Sequence, residues 1–449
     1  MLEVEDIIVI SDLHLAAERS KGLFQSDEAL AGFLNWVHEE TRHCLLVLNG
    51  DVLDFLVKRR PKTVIEAEES ARETKDIIEQ HPEVFDSLQS LANSSGHQLV
   101  IVGGNHDPEL IFPEVQVEIA RRLKREHSHP PIRWVVNGEA LPLHFGPARV
   151  LIEHGDQYDN WNYIDHESLR KLVSLSTRGV DSRDIYKSPP GSALVINRFN
   201  LIRDRLPWIE RLQPLSDMIL PLILEVVMPQ LERGEQLALW GTVRESARTG
   251  RRSLINKLLC GMNSRAEFWA EQDERTQRFI EWQVEIENED AWGEAEPDFA
   301  RIIRRLRKVS ARDGFFDIQE HDATFDPVTR LMELGNDLIV HGHTHSAKAY
   351  KVGRGLYLNS GTWGQLMRLP LSQASDEEWK QFLNVLSNGE TDSFSRPTFI
   401  HMTAEGEAPE AMLCEWRKGA PEIRSRWSFE ANTRNWYQGK CDVDTTGTA

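Results

Sequence analysis

Cysteine is scarce in this chain. Its four cysteines, Cys44, Cys260, Cys414 and Cys441, are scattered through 449 residues without a CxxC pair or regular spacing, which fits neither a disulfide framework nor a zinc ribbon. They read as reduced thiols in a cytoplasmic protein. Positive charge is also short: 52 lysines and arginines stand against 71 aspartates and glutamates, a formal net charge of −19. Such a surface repels phosphate backbones, so any contact with nucleic acid needs a local basic patch. The segment Met1 to Asp6 is acidic and lacks both the basic start and the apolar stretch of a signal peptide. The most apolar later stretch, Leu215 to Leu231, is broken by Asp217, Pro221, Glu225 and Pro229, so no transmembrane segment is expected. There is no repeat at a fixed period and no long low-complexity run.

What the chain does have is a set of short, β-branched apolar runs that read as buried strands: Ile7 to Ile10, Leu45 to Leu48, Leu99 to Val102 and Val150 to Ile152. Between them, Glu28 to Glu40 and Val64 to Gln80 have helical spacing, so strands and helices alternate as in a layered α/β fold. The strand signal returns at Leu338 to Val340, Leu356 to Leu358, Thr398 to His401 and Ala411 to Trp416. A helix-rich block separates the two halves, with helical patterns around Arg170 and at Arg198 to Arg211, Met218 to Leu231, Arg244 to Leu259, Ala266 to Glu287 and Phe299 to Ser310. The expected organisation is a discontinuous core, residues 1–159 and 326–441, with a helical insertion or cap at 160–325 and a polar tail at 442–449.

Five clusters follow predicted strands: Asp12-Leu-His14, Gly50-Asp51-Val-Leu-Asp54, Gly104-Asn105-His106-Asp107, His154-Gly155-Asp156 and Gly342-His343-Thr-His345. Each puts carboxylate, imidazole or amide groups at the carboxyl end of a strand, where neighbouring loops converge. Asp12 with His14, and His343 with His345, are two residues apart and would share one side of a strand-like segment. Mixed oxygen and nitrogen donors without thiolates suit Mn²⁺, Fe or Zn²⁺ better than Ca²⁺ or a structural zinc. Any one cluster alone is weak, since a lone DxH is usually accidental and a histidine at a strand end usually makes an ordinary hydrogen bond. All five in order are specific.

That ordered set resembles the calcineurin-like metallophosphoesterase superfamily, whose pattern is DxH, GDxxD, GNH followed by D or E, a separate HG histidine, and GHxH. The resemblance covers about residues 7–156 and 338–363, including Asn359 to Trp363. The fold it implies is a four-layer α/β/β/α metallophosphoesterase sandwich with a large helical insertion. The site it implies holds two divalent metal ions, Mn²⁺ foremost: Asp12, His14, Asp51 and His345 on one, and Asp51, Asn105, His154 and His343 on the other. A metal-bound hydroxide would then attack the phosphoryl group. His106 would protonate the leaving oxygen, with Asp54 orienting and charging its ring; otherwise His106 merely caps its loop. The opening Ser11 to Leu15 is similar to the UDP-2,3-diacylglucosamine pyrophosphohydrolase-like branch, although that branch has Arg where this chain has His106.

The substrate class expected is a phosphorylated small molecule or lipid-linked phosphate ester or phosphoanhydride. The alternatives are a nuclease or cyclic-nucleotide phosphodiesterase, and a noncatalytic scaffold in a larger assembly. Two basic stretches in the insertion speak for a polyanionic substrate: Arg244, Arg248, Arg251, Arg252 and Lys257, then Arg301, Arg304, Arg305, Arg307, Lys308 and Arg312. Charged residues at helical spacing more often form solvated faces. Pro189 to Leu231, rich in Leu, Ile, Val and Trp208, would form the cap's own core, or else line an acyl groove or a partner interface. The stretch with Trp269, Trp282 and Trp292 has no functional reading.

Overall fold

The computed structural model describes residues 4–57, 65–124, 132–159, 161–213 and 299–439, the last two ranges with short breaks. The first half contains β1 (Asp6–Ile10), α1 (Asp27–Glu40), β2 (Cys44–Asn49), α2 (Ala67–Gln80), α3 (Pro82–Ala92), β3 (Gln98–Val102), α4 (Pro113–Leu123), β4 (Ile132–Val135), β5 (Leu141–Phe145) and β6 (Ala148–Ile152). Then come α5 (His166–Ser176), α6 (Pro190–Leu194), β7 (Leu212–Gln213), α7 (Phe299–Ser310) and α8 (Phe325–Glu333). The C-terminal part adds β8 (Leu338–His341), β9 (Lys348–Val352), β10 (Gly355–Asn359), β11 (Gln365–Arg368), α9 (Asp376–Ser387) and β12 (Phe394–Ser395). It ends with β13 (Thr398–Thr403), β14 (Glu410–Arg417), β15 (Ala420–Glu430) and β16 (Asn435–Gln438). Each of the eight apolar runs read as a strand lies within one of these.

Two large sheets form the centre. One has eight strands in the order β16-β15-β14-β13-β1-β2-β3-β4, parallel from β1 to β4 and antiparallel from β13 outward. The other has five in the order β5-β6-β8-β10-β9. Strand alternation explains how they stack. Ile8 and Ile10, Leu46 and Leu48, and Leu99 and Ile101 pack with Phe33 and Leu34 of α1, Val84 and Leu88 of α3, and Val115 and Ile119 of α4. Their neighbours Ile7 and Val9, Leu45 and Val47, and Val100 and Val102 face the other way and meet Val150, Ile152, Leu338, Val340, Leu356 and Leu358 of the second sheet. The far side of that sheet, Ile339, Tyr350 and Tyr357, is covered by Val328 of α8 with Phe325, Leu331 and Met332. The layers are therefore α/β/β/α, as expected. Because β1 to β3 are buried on both faces, they carry polar residues only at their ends, at Asp6, Asn49 and Gln98, and truncating one of their isoleucines to alanine would cost about 2–5 kcal/mol.

Parts of the block between the two halves are tied to this centre. Leu169 and Leu172 of α5 join the helix-side core, and Ile318 joins the core between the sheets. The Lys348 ammonium is buried and donates to the carbonyls of Gly314 (2.6 Å) and Asp317 (2.7 Å), fastening the returning chain to β9. The Trp208 indole donates to Leu386 O at the end of α9 (2.7 Å), and β7 pairs with β11. The helical patterns at 218–231, 244–259 and 266–287, the basic stretch Arg244 to Lys257, the tryptophans 269, 282 and 292, Cys260, Cys441 and the tail 442–449 lie outside the described residues. Cys44 and Cys414 are buried and form no disulfide among the described residues. Among the described residues, no helix is long and apolar enough to cross a membrane.

Candidate metal centre

The carboxyl ends of β1, β2, β3, β6 and β8 deliver the predicted residues to one edge of the sandwich. The local geometry differs from the strand alternation expected for Asp12 with His14 and His343 with His345. β1 stops at Ile10 and β8 at His341, and Asp12, His14, Asp51, His343 and His345 all have left-handed φ, 51–66°. Each such non-glycine residue costs roughly 1–2 kcal/mol, so convergence comes from tight loops stabilised by their neighbours. Asp12 N–H donates to Gly50 O (3.1 Å) and His14 N–H to Asp51 O (2.9 Å), which locks the β1 loop to the β2 loop. Close approach also requires a missing side chain at Gly104, where a Cβ would lie 2.3 Å from Asp51 Oδ1.

One group of donors is compact. Asp12, His14, Asp51 and His345 offer ligand atoms all within 4.8 Å of one another. His14 Nε2 and His345 Nε2 stand 3.0 Å apart, His345 Nε2 is 3.3 Å from Asp12 Oδ1, and His14 Nε2 is 4.0 Å from Asp51 Oδ2. The other predicted ligands continue from Asp51: its Oδ2 is 3.3 Å from His154 Nε2, the His154 and His343 ring centroids are 5.4 Å apart, and His343 Nδ1 is 2.9 Å from Asn105 Oδ1. Asp51 thus stands between the two groups.

The donor chemistry fits a cation. Asp12 Oδ1 and His154 Nε2 are buried and make no well-formed hydrogen bond among the described residues; each meets an opposite group only at 3.3 Å, His345 Nε2 and Asp51 Oδ2, an arrangement that a shared cation would satisfy. His154 lies 2.9 Å by its Nδ1 from Asn49 O, so that nitrogen is the donor and Nε2 is the nitrogen turned toward Asp51. Burial works against charge on Asp51, yet the rings of His154, His106 and His14 hold its carboxyl well below the usual range.

His14, Asp54 and His106 form a second convergence. Asp54 Oδ1 accepts Leu56 N–H (3.0 Å) and lies 3.3 Å from His106 Nδ1, and its Oδ2 is 3.6 Å from His14 Nδ1. The backbone N–H of His106 donates to Asp51 Oδ1 (2.7 Å). Burial disfavours a charged His106 ring, but the carboxylates of Asp51 and Asp54 outweigh it and push the pKa up to about 9. The side chain remains 17% exposed. A protonated imidazole open on one side is suited to give a proton away.

Three supporting residues were given no role in the sequence reading. Asp107 accepts from Val52 N–H (2.8 Å), Leu53 N–H (3.2 Å) and Gly104 N–H (2.6 Å), stapling the β2 loop to the β3 loop. Asp159 Oδ2 lies 3.2 Å from His343 Nε2, which leaves Nδ1 for the side of the ring shared with Asn105. Ser11 Oγ donates to Asp12 Oδ2 and lies 2.6 Å from Ser360 Oγ. Of these, Asp107 alone had a signal, its place directly after Gly-Asn-His.

Residues 6–202 match the calcineurin-like phosphoesterase family. No curated protein matches the chain. Among solved structures, it is similar to a single mutant of Vps29 from Entamoeba histolytica, with 10% identity, 95% of this chain and 99% of that chain covered, and a TM-score of 0.29. It is also similar to a conserved, predicted phosphoesterase from Streptococcus pneumoniae TIGR4, with 10% identity, 94% and 97% covered, and a TM-score of 0.25. Vacuolar Protein Sorting 29 from Cryptosporidium parvum gives 12% identity, 95% and 98% covered, and a TM-score of 0.28. Structural likenesses at these scores say nothing of function. The family match and the donor cluster together identify a metal-dependent phosphoesterase.

Proposed function

We propose that this calcineurin-like phosphoesterase domain is a dinuclear-metal hydrolase of phosphate esters or phosphoanhydrides, with His106 as its general acid. Asp51 carries the reading: a buried carboxylate facing His14 on one side and His154 on the other, with Asp12 Oδ1 and His154 Nε2 making no hydrogen bond among the described residues. Asp12, His14, Asp51 and His345 would hold one cation, and Asp51, Asn105, His154 and His343 the other. When bound, two divalent cations supply charge to polarise a phosphoryl oxygen and to lower the pKa of a water.

The chain's own residues do the rest. Asn49 O fixes the His154 tautomer and Asp159 fixes that of His343, so that the opposite nitrogens are free to bind. Asp54 keeps the His106 ring charged and oriented through Nδ1, leaving its Nε2–H to protonate the departing oxygen. Asp107 holds the loops bearing Asp51 and Asn105 in register. Mn²⁺ is the first choice of metal, with Fe or Zn²⁺ compatible with the same donors. A nuclease reading draws on the basic stretch of α7, but Arg307 there is engaged by Asp376 (2.9 Å) and by the carbonyl of Ala374.

The test is Mn²⁺-dependent hydrolysis of p-nitrophenyl phosphate, bis-p-nitrophenyl phosphate, a nucleotide-sugar diphosphate and single-stranded DNA by wild type, Asp51→Asn and His106→Gln. Turnover that needs the metal and Asp51, and that falls about 10²–10⁴-fold without His106, supports the proposal. Turnover that persists in Asp51→Asn, or none on any substrate, overturns it.

A further inference from the structure

Residues outside the five motifs place a cationic group on a segment tied to the loop that carries Asp54, the partner of His106. Asn200 donates its Nδ2–H to Leu56 O (2.7 Å), and Leu56 N–H in turn donates to Asp54 Oδ1, the oxygen that faces His106. Three residues beyond Asn200 lies Arg203, only 5% exposed. A single nitrogen of its guanidinium, Nη2, donates to both oxygens of Glu210. Nε and Nη1 are buried with no hydrogen-bond partner among the described residues, as is Asn200 Oδ1. Glu210 is close enough to His106 to be among the charges that raise its pKa, and Arg211, partly buried, feels both Glu210 and Arg203.

The segment is pinned at both ends. Asn200 ties it to the Asp54 loop, while Trp208 is anchored on Leu386 O and Leu212 pairs with Met367. Arg203, Arg211 and Glu210 carry a net charge of +1 on a segment tied to the Asp54 loop. A buried guanidinium with two of its three nitrogens unpaired among the described residues is expensive, and its planar fork matches phosphate oxygens.

We propose that Arg203, held by Glu210 and supported by Arg211, binds a phosphate on the leaving group, so that the substrate is a phosphoanhydride and not a simple monoester. The inference rests on the phosphoesterase reading above. Because His106 protonates the departing oxygen, a cation on its side of the site faces the leaving group. Hydrolysis there adds a water oxygen to one phosphorus, breaks the bridging P–O bond, and sends a proton from His106 to the departing phosphate, whose remaining charge Arg203 balances.

The experiment uses the full chain and two variants of opposite sign, Arg203→Lys and Glu210→Gln. In the first arm, isothermal titration calorimetry follows inorganic pyrophosphate binding to metal-free protein. Arg203→Lys should weaken it about 10–100-fold, and Glu210→Gln, which removes the competing anion, should tighten it. In the second arm, the kcat/KM ratio for a nucleotide-sugar diphosphate over bis-p-nitrophenyl phosphate is measured with Mn²⁺. That ratio should fall about 10–100-fold in Arg203→Lys and rise in Glu210→Gln. Weakening in both variants signals structural damage and overturns the assignment, as does an unchanged ratio or no pyrophosphate binding by wild type. If wild type binds pyrophosphate through Arg203 but hydrolyses nothing, the phosphoesterase reading fails while the anion site stands.

Discussion

Asp54→Asn should move the alkaline limb of the pH–rate profile toward neutrality. The substitution keeps size and one acceptor oxygen for Leu56 N–H (3.0 Å), but removes the carboxylate that lies 3.3 Å from His106 Nδ1. The His106 pKa stands at about 9 against an ordinary value of 6.5 because Asp51 and Asp54 together overcome the effect of burial. An opposite charge at hydrogen-bonding distance shifts a pKa by about 1–3 units, so losing Asp54 should lower that of His106 by about 1–2 units, or about 1.4–2.7 kcal/mol. His106 acts in its protonated form, so activity is lost as pH rises through its pKa, and a lower pKa moves the loss to lower pH. The assay is kcat/KM for bis-p-nitrophenyl phosphate from about pH 5.5 to 10, spanning both the ordinary and the raised value, with Mn²⁺ saturating at every point because Asp54 also faces His14. A limb that stays in place, or moves to higher pH, refutes the pairing. So does a limb that persists in His106→Gln.

Asp159→Asn should weaken Mn²⁺ binding about 10–100-fold by freeing the His343 tautomer, as measured by metal titration. Maximal velocity at saturating metal should change less. Gly104→Ala should abolish metal binding, since its Cβ would overlap Asp51 Oδ1, while circular dichroism keeps the α/β signature; retained affinity would contradict the geometry. For metal-free protein, the stability contributed by charged His106 should be fully present below pH 6.5 and lost as pH rises through about 9. Urea unfolding across that range should show the loss in wild type and not in His106→Gln.

The sequence revealed the parts of this molecule that are buried on both sides. β1, β2, β3, β8 and β10 are nearly unbroken apolar runs because each is covered on two faces, by helices and by the opposite sheet. β15 was harder to see: Arg424 and Arg426 point toward Glu415 and Glu410 across the pair with β14, and such half-exposed antiparallel strands look polar. The motif residues were legible because their chemistry requires particular side chains. Their left-handed backbone was not, since aspartate and histidine give no sign of positive φ as glycine does. Asp159 escaped for another reason: its partner His343 lies far along the chain, and no local pattern records that.

The position of β13 has a consequence for synthesis. β1, which leads into Asp12 and His14, lies between β2 and β13, and β13 is made almost 390 residues after β1. Until it emerges from the ribosome, β1 presents a bare, apolar edge of unpaired N–H and C=O groups, a template for wrong pairing. His343 and His345 also arrive late, so a nascent chain holds Asp12, His14, Asp51 and His154 without the histidines that complete the donor set. Metal capture should therefore be a late event in biogenesis, and chains truncated before about residue 400 should aggregate.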